Sequence, residues 1–517
     1  MKRNYILIIF ILLISIIILS SCRSTKPQVS FDSITHPKRE FRGAWLSTAW
    51  QSRYATMNSL QMQQYFIEVL DKLQSYGINA VIFQARPQAD AFYKSDIEPW
   101  SALLSGTQGI APDNGFDPLA FLTQECHRRG MELHAWLNPY RVTLSEKDIL
   151  SLSPQHIYFR EPERFVTYGG KIYFDPGIPK NKEYICRIVE DIVKRYNVDA
   201  IHMDDYFYPY PISGVSFPDD ASFNTYGKAL GFENNQRDTW RRHNVNTLIK
   251  DIKFTIASVK PWVRFGISPF GIYRNKKNTL DGSGSDTNGL QNYDDLYADV
   301  QMWVKEGWID YNMPQIYWEI GHSAADYDIL VRWWANNSFN RPLYIGQDVK
   351  RTMDAVMPSG DSQLLEKMIL SRTFTSIQGS CFWPAYELLD NYEGVGNELK
   401  NNYYKYPALI PAYTHMHQKR PKQVGNLTET YTAKAHTLSW TSNANIANPE
   451  TAQYYVIYRF LKNEKVDLSR SRNIVKITNQ KEYILPYEGG KNVYKYVVTS
   501  VDAFHNESKG KAIKIKL

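Results

Sequence analysis

Cysteine is scarce in this chain: 517 residues contain four, Cys22, Cys126, Cys186 and Cys381. Cys22 has its own role, given below, and the other three are an odd number scattered over two helical stretches and one strand. No disulfide framework follows from them, and their expected place is as small buried apolar side chains. A basic tract is also missing. The net charge of +7 is diluted over the whole length and includes the basic residues at the extreme N-terminus, so no nucleic-acid partner is expected. The conspicuous apolar run, Tyr5 to Leu19, is shorter than the roughly 20 residues that a membrane-spanning helix needs. No close set of histidines and carboxylates has the spacing of a transition-metal site, although calcium at Asp204 and Asp205 stays open, and no cofactor is expected.

What the N-terminus does have is the order of a lipoprotein signal: Lys2 and Arg3, the apolar run, then Leu19-Ser20-Ser21-Cys22. The mature chain should begin at a lipidated Cys22, whose several acyl chains hold a soluble domain on a membrane where one chain alone is marginal. A secretory signal with a chance cysteine is the alternative. Residues 23–39 are polar, carry Pro27 and Pro37, and read as a tether. Arg23 and Ser24 follow the cysteine with no acidic run nearby. The expected location is the cell envelope, anchored in the outer membrane and facing the periplasm.

Nearly all of the chain is left after such processing, enough for a large domain and an accessory module. From Phe41 onward short apolar runs alternate with segments of helical period, the signature of βα units around a parallel sheet. Eight runs are present: Phe41 to Ser47, Ala80 to Ala85, Glu132 to Pro139, Ala200 to Tyr206, Arg264 to Phe270, Trp308 to Trp318, Leu343 to Asp348 and Gly379 to Ala385. Eight units in one series predict a (β/α)8 TIM barrel over 40–410 rather than an open doubly wound sheet. Asn58, Asp117-Pro118 and Asn181 are the predicted helix starts, with Gly77 and Gly130 as stops. Beyond residue 410 the helical period disappears. A linker over 411–425, with Pro411 and Pro421, leads to alternating short strands over 426–517 at the spacing of a small β-sandwich, and Tyr496 to Asp502 resembles a fibronectin type III domain.

The long loops follow the strands, where barrel enzymes build their sites. Four strand ends carry polar and aromatic clusters: Gln84 to Asp90, His134 to Arg141, His202 to Pro209 and Asn312 to Glu319. With 36 Tyr and 13 Trp in the chain, a polar cup with aromatic walls suits pyranose rings, whose C–H faces stack on aromatic planes. Glycoside hydrolysis requires two carboxyl groups at the scissile bond, one protonating the leaving oxygen and one acting as nucleophile or base. Asp204 and Asp205 are the leading candidates. Strand alternation should turn only one of them to the axis, and parity does not decide which because the strand is ending there; Asp204 is favoured over Asp205 as nucleophile or base. Glu319, Asp90 and Asp348 are candidate partners, each able instead to cap a helix or bind an arginine. Arg86, Trp136, Asn138, Tyr140, Arg141, Tyr206, Tyr208, Gln315, Tyr317, Trp318, Asp348 and Trp383 are candidate substrate contacts, with a network bracing the loops as the alternative for the polar ones. His134 and His202 lie inside strands and read as satisfied core histidines.

Taken in order, Phe41-Arg42-Gly43-Ala44-Trp45, Gln84-Ala85-Arg86, Glu98-Pro99-Trp100, His134 to Arg141, Met203-Asp204-Asp205-Tyr206 and Pro314 to Trp318 resemble glycosyl hydrolase-like family 10 over roughly residues 38–400. That family includes envelope lipoproteins, one of them a divisome-localised hydrolase of peptide-free peptidoglycan glycan strands. The resemblance therefore implies a glycosidase acting on such strands. Another dietary or host polysaccharide, a non-catalytic glycan-binding lipoprotein, and a scaffold acting through its C-terminal module are the competing readings.

Overall fold

The computed structural model describes residues 34–432 and 435–517. The expected signal, the expected lipidation site Cys22 and the first part of the expected tether lie outside the described residues, and no described helix is long and apolar enough to cross a membrane. Residues His36–Leu517 form one compact unit.

Eight parallel strands close into a barrel: β1 (Phe41–Leu46), β2 (Ala80–Arg86), β3 (Glu132–Leu137), β4 (Ala200–Met203), β5 (Arg264–Ile267), β6 (Tyr311–Asn312), β7 (Leu343–Asp348) and β8 (Ile377–Trp383). Each pairs with its neighbours in chain order, and Phe41 opposite Gly379 closes the ring. These are the eight runs of the sequence, most of them shorter at the C-terminal end; β2 runs one residue further, β7 keeps its expected bounds, β6 also starts three residues later and β8 two residues earlier. β6 is the shortest because Pro314 has no N–H for the ladder; Gln315 then rejoins its neighbours through single bridges to Phe270 and Gly346.

The helix starts follow local chemistry. Before α1 (Ser59–Ser75) Asn58 accepts from the Gln61 backbone while the Gln61 side chain accepts from the Asn58 N–H, a reciprocal capping box. Asp117 caps α2 (Pro118–Arg128). The third expected start is corrected by the structure: α3 (Pro179–Arg195) begins two residues before Asn181, where Pro179 presets the helical φ. Asn181 is instead a buried brace, donating to the carbonyls of Arg164 and Asp175.

The barrel axis holds a polar chain among apolar rings. Gly266 makes room for it, since a Cβ there would stand 1.9 Å from the Tyr311 ring. Trp45 Nε1 can only donate, so Nε2 of His202 accepts at 3.2 Å. His202 Nδ1–H then donates to the Tyr311 hydroxyl at 2.9 Å, Tyr311 to His134 Nδ1 at 2.8 Å, and His134 Nε2–H to Glu132 at 2.9 Å. Every donor is used once, and both histidines are satisfied core residues, as their strand positions implied. Of the described cysteines, Cys126 and Cys381 are buried and Cys186 is partly so; all three are free thiols.

The C-terminal region is all-β. Strands β9 (Gly425–Tyr431), β10 (His436–Thr441) and β13 (Glu482–Leu485) form one sheet; β12 (Ile474–Thr478), β11 (Tyr454–Leu461), β14 (Val493–Val501) and β15 (Lys511–Lys516) form the other. Trp440 and Leu485 from the first sheet pack with Tyr455, Ile457, Tyr496 and Ile515 from the second. This sandwich seals the N-terminal end of the barrel. The segment between the two, a linker by composition, is part of the seal: Tyr413 is fully buried, joins the barrel cluster, and its hydroxyl meets that of Tyr344 at 2.8 Å. From the sandwich, His505 Nε2 reaches Glu132, the first residue of β3, at 2.5 Å.

Candidate active site

At the opposite end, where the strands finish, the loops surround a pocket of about 460 Å³, within the range of small-ligand sites. Its floor is Trp45, Trp136, Gln84 and Ser268, and its walls carry Tyr206, Tyr210, Phe270, Tyr317, Trp318 and Trp383. The walls are fixed by ring packing: Trp383 stands edge-on to Trp136 with centroids 6.1 Å apart, Trp318 edge-on to Phe270 at 5.4 Å, and Tyr317 edge-on to Trp45 at 6.5 Å.

Asp204 and Asp205 both line this pocket. Alternation would have turned one away, but β4 ends at Met203 and the pleat no longer governs the two residues beyond it. Their environments differ. Asp204 Oδ2 accepts from Trp136 Nε1 at 3.0 Å, and Asn138 Nδ2 approaches both oxygens at 3.3 and 3.4 Å. Burial raises the Asp204 carboxyl above the ordinary range, while the charge of Arg141 and these donors pull it back. Asp205 accepts from the Tyr210 hydroxyl at Oδ2, 2.5 Å away, with the Gln315 side chain near enough to favour its anion slightly, and its buried Oδ1 has no hydrogen bond of ordinary geometry. Burial and then the charge of Asp204 push Asp205 up to about 7. One carboxyl is thus held by donors suited to its anion, and the other is arranged to keep a proton near neutrality.

Arg141 anchors its Nε and Nη2 on the Pro87 carbonyl at 3.0 and 2.8 Å and lies over the Tyr206 ring, 5.6 Å from its centroid. Asn138 joins the two, accepting from the Arg141 backbone at 3.0 Å while donating to Asp204. Gln315 is fixed by donating to the Ser268 carbonyl at 2.8 Å. Asp348 borders the pocket and caps the helix Val349–Asp354 through the Arg351 N–H at 2.8 Å.

Other candidates stand apart from the pocket. Arg86 is fully buried in a two-pronged pair with Glu98, at 2.7 and 2.6 Å, and holds the Asn138 and Pro139 carbonyls, so it braces the loop that presents Asn138. Asp90 is buried behind that loop with Gln88 and Gln108, and burial lifts it to about 6. Tyr140 and Tyr208 are buried, the latter packed edge-on against Phe217 and Tyr297. Glu319 is half-buried outside the lining, its backbone carbonyl accepting from His322 and Tyr327. Among the described residues no three His, Cys, Asp or Glu side chains gather as a metal site.

Trp50, Tyr210, Phe270 and Arg351 line the pocket without having been singled out in the sequence. The aromatic alternation Tyr206, Tyr208, Tyr210 carried a signal for Tyr210. Trp50 carried none, since only its backbone places it: Thr48 and Ala49 donate to Gln84 Oε1 at 2.9 and 2.8 Å, Gln51 N–H returns to the Thr48 carbonyl, and Trp50 has φ of 65°.

A closed barrel with a carboxyl pair in an aromatic cup at its C-terminal mouth defines the class of barrel glycoside hydrolases. Comparison with known proteins agrees. Residues 40–360 match the family described as glycosyl hydrolase-like 10, and the chain belongs to that family. It is 41% identical over 492 residues to glycosyl hydrolase YngK of Bacillus subtilis (strain 168), covering 93% of this chain and 94% of that protein. It is 36% identical over 403 residues to glycosyl hydrolase DigH of Escherichia coli (strain K12), covering 70% of this chain and 89% of that protein. Among solved structures, the PgaB (BpsB) glycoside hydrolase domain of Bordetella bronchiseptica aligns with TM-score 0.45 at 12% identity, covering 70% of this chain and 99% of that domain.

Proposed function

We propose that this glycoside hydrolase cleaves peptide-free peptidoglycan glycan strands, with Asp205 as general acid and Asp204 as the ionised nucleophile or base. The observation that carries this reading is the divergence of the two adjacent carboxyls. Asp205 holds its proton near neutrality and has an uncommitted Oδ1 to deliver it to the leaving oxygen; Asp204 is oriented by Trp136 and Asn138. The lipoprotein signal ending at Cys22 supports an envelope substrate and an anchor in the outer membrane facing the periplasm. The aromatic walls suit a glycan without a bulky peptide.

The test is incubation of residues 23–517 with intact and with amidase-stripped peptidoglycan, released fragments being read by mass spectrometry, alongside Asp204→Asn and Asp205→Asn. Release from stripped strands only, abolished in the variants, is the expected result. No release from either substrate would point to another polysaccharide or a binding protein, and undiminished release by both variants would sink the assignment of the pair.

A further inference from the structure

The two sides of the pocket differ in chemistry. β3 to β6 supply the carboxyl pair and its donors, while the loops after β7, β8 and β1, which are contiguous in the barrel, supply Asp348, Arg351, Trp383 and Trp50. Two of these are unlike ordinary loop residues. Trp50 is 69% exposed although it is the largest of side chains, and it sits in the left-handed region that turns reserve for glycine or asparagine. The turn is clamped to buried Gln84, so the indole is held out at the rim rather than left there by packing. Arg351 is exposed and lines the same pocket, and its guanidinium forms no hydrogen bond or ion pair with any described residue, although its charge reaches Asp348 and lowers that carboxyl against the rise that burial gives it; its helix is pinned at the start by Asp348. A planar apolar surface and a two-pronged cation without a hydrogen-bonded partner, matched to carboxylates, stand with Asp348 on the side away from Asp204 and Asp205.

We infer that Trp50 and Arg351 form an outer subsite for a sugar unit bearing a carboxylate, Trp50 stacking on the pyranose and Arg351 pairing with the acid group. This rests on the proposed substrate and deepens it. When the peptide is removed from a glycan strand, the amide that joined it becomes a free carboxylate, so the subsite would read the absence of the peptide directly. A uronic acid presents the same charge on the ring itself.

The experiment is equilibrium binding, read by tryptophan fluorescence, in the Asp205→Asn background so that no ligand is consumed. The ligands are peptide-stripped strands, the same strands with their carboxylates converted to amides, peptide-bearing strands, and oligouronates. Stripped strands should bind about tenfold more tightly than amidated ones, and Arg351→Gln should erase that ratio while leaving amidated strands unchanged. Trp50→Gly should weaken both about tenfold without lowering the unfolding temperature, because the turn favours glycine; a Trp that merely packs would lower it. Oligouronate binding that exceeds stripped-strand binding would move the carboxylate from the side chain to the ring. Equal binding of stripped and amidated strands by the protein with Arg351 intact would overturn the subsite. Failure of the unsubstituted enzyme to cleave, with the discrimination intact, would instead overturn the hydrolase reading alone.

Discussion

Both ends of the barrel bury carboxylates, and they treat them in opposite ways. At the N-terminal end Glu132 meets Arg264 and His505 at 2.5 Å each and His134 at 2.9 Å, and these partners hold its pKa well below the ordinary carboxylate range despite full burial. Glu40 is paired likewise with Arg42 and Arg372, and Asp310 with Lys253; both are shifted down. At the C-terminal end Asp204, Asp205 and Asp90 are equally buried, lack such pairing, and are shifted up. Burial is common to both ends, so cations decide the sign. The paired end is sealed by the sandwich and serves stability. At the other, Asp204 and Asp205 face the pocket without a paired cation, while Asp90 lies behind the loop.

Substitutions should separate the two ends. The largest effect is expected for Asp205→Asn, which removes the proton donor and should lower kcat on stripped strands roughly 10²- to 10⁴-fold while the fold stays intact by circular dichroism. In the unsubstituted enzyme kcat/KM should fall as pH rises past about 7, where Asp205 loses its proton. Glu132→Gln is the converse: it leaves Arg264 buried without its anion and should cost about 3–5 kcal/mol of stability, with near-normal specific activity in the folded fraction. A comparable loss of kcat from Glu132→Gln at full stability would break the division of labour.

The two ends also predict opposite pH slopes. Glu132 is depressed in the fold, so its contribution is present above its unfolded value near 4.5 and is lost as pH falls through the folded value. Asp205 is raised from 3.8 to about 7, so its contribution is present below 3.8 and is lost as pH rises through 7. Asp205→Asn should therefore stabilise the protein at pH 8, by about 2–4 kcal/mol from a shift of this size, and do so little at pH 4. Denaturant unfolding at the two pH values checks the sign.

How far the sequence could be read follows the same division. The barrel was legible because each strand is a short apolar run bounded by helix signals with local chemistry, as Asn58 and Asp117 show. Asn181 misled because a side-chain cap and a buried side-chain brace use the same residue types, and Pro179 alone distinguished them. The Asp204–Asp205 pair stood out as adjacent acids at a strand end, but their separate environments depend on Trp136, Asn138 and Tyr210, brought together only by closure. Arg86 reads from sequence equally as a substrate contact or as a brace for the loops, and it is the brace, because its partner Glu98 comes from the long loop that follows its strand. The segment 411–425 has the composition of a linker; Tyr413 becomes a plug because the open base of a barrel requires a large ring and because Tyr344 offers its hydroxyl.

A smaller substitution tests whether donors alone set the state of Asp204. Trp136→Phe keeps an aromatic floor beneath the pocket and the edge-on contact to Trp383, but removes the indole N–H that meets Asp204 Oδ2 at 3.0 Å. Asn138 and the charge of Arg141 remain, so the anion is weakened rather than lost. One hydrogen bond to a charged group contributes about 1.5–3 kcal/mol when fully buried, and the surviving donors should absorb part of that. The acidic limb of kcat/KM should therefore move upward by about one pH unit or less, with the alkaline limb of Asp205 in place. Movement of the alkaline limb instead would reverse the roles of the two carboxyls. Movement of neither would mean that Arg141, and not the Trp136–Asn138 pair, holds Asp204 ionised, which Arg141→Gln would then reveal by a larger shift of the same limb.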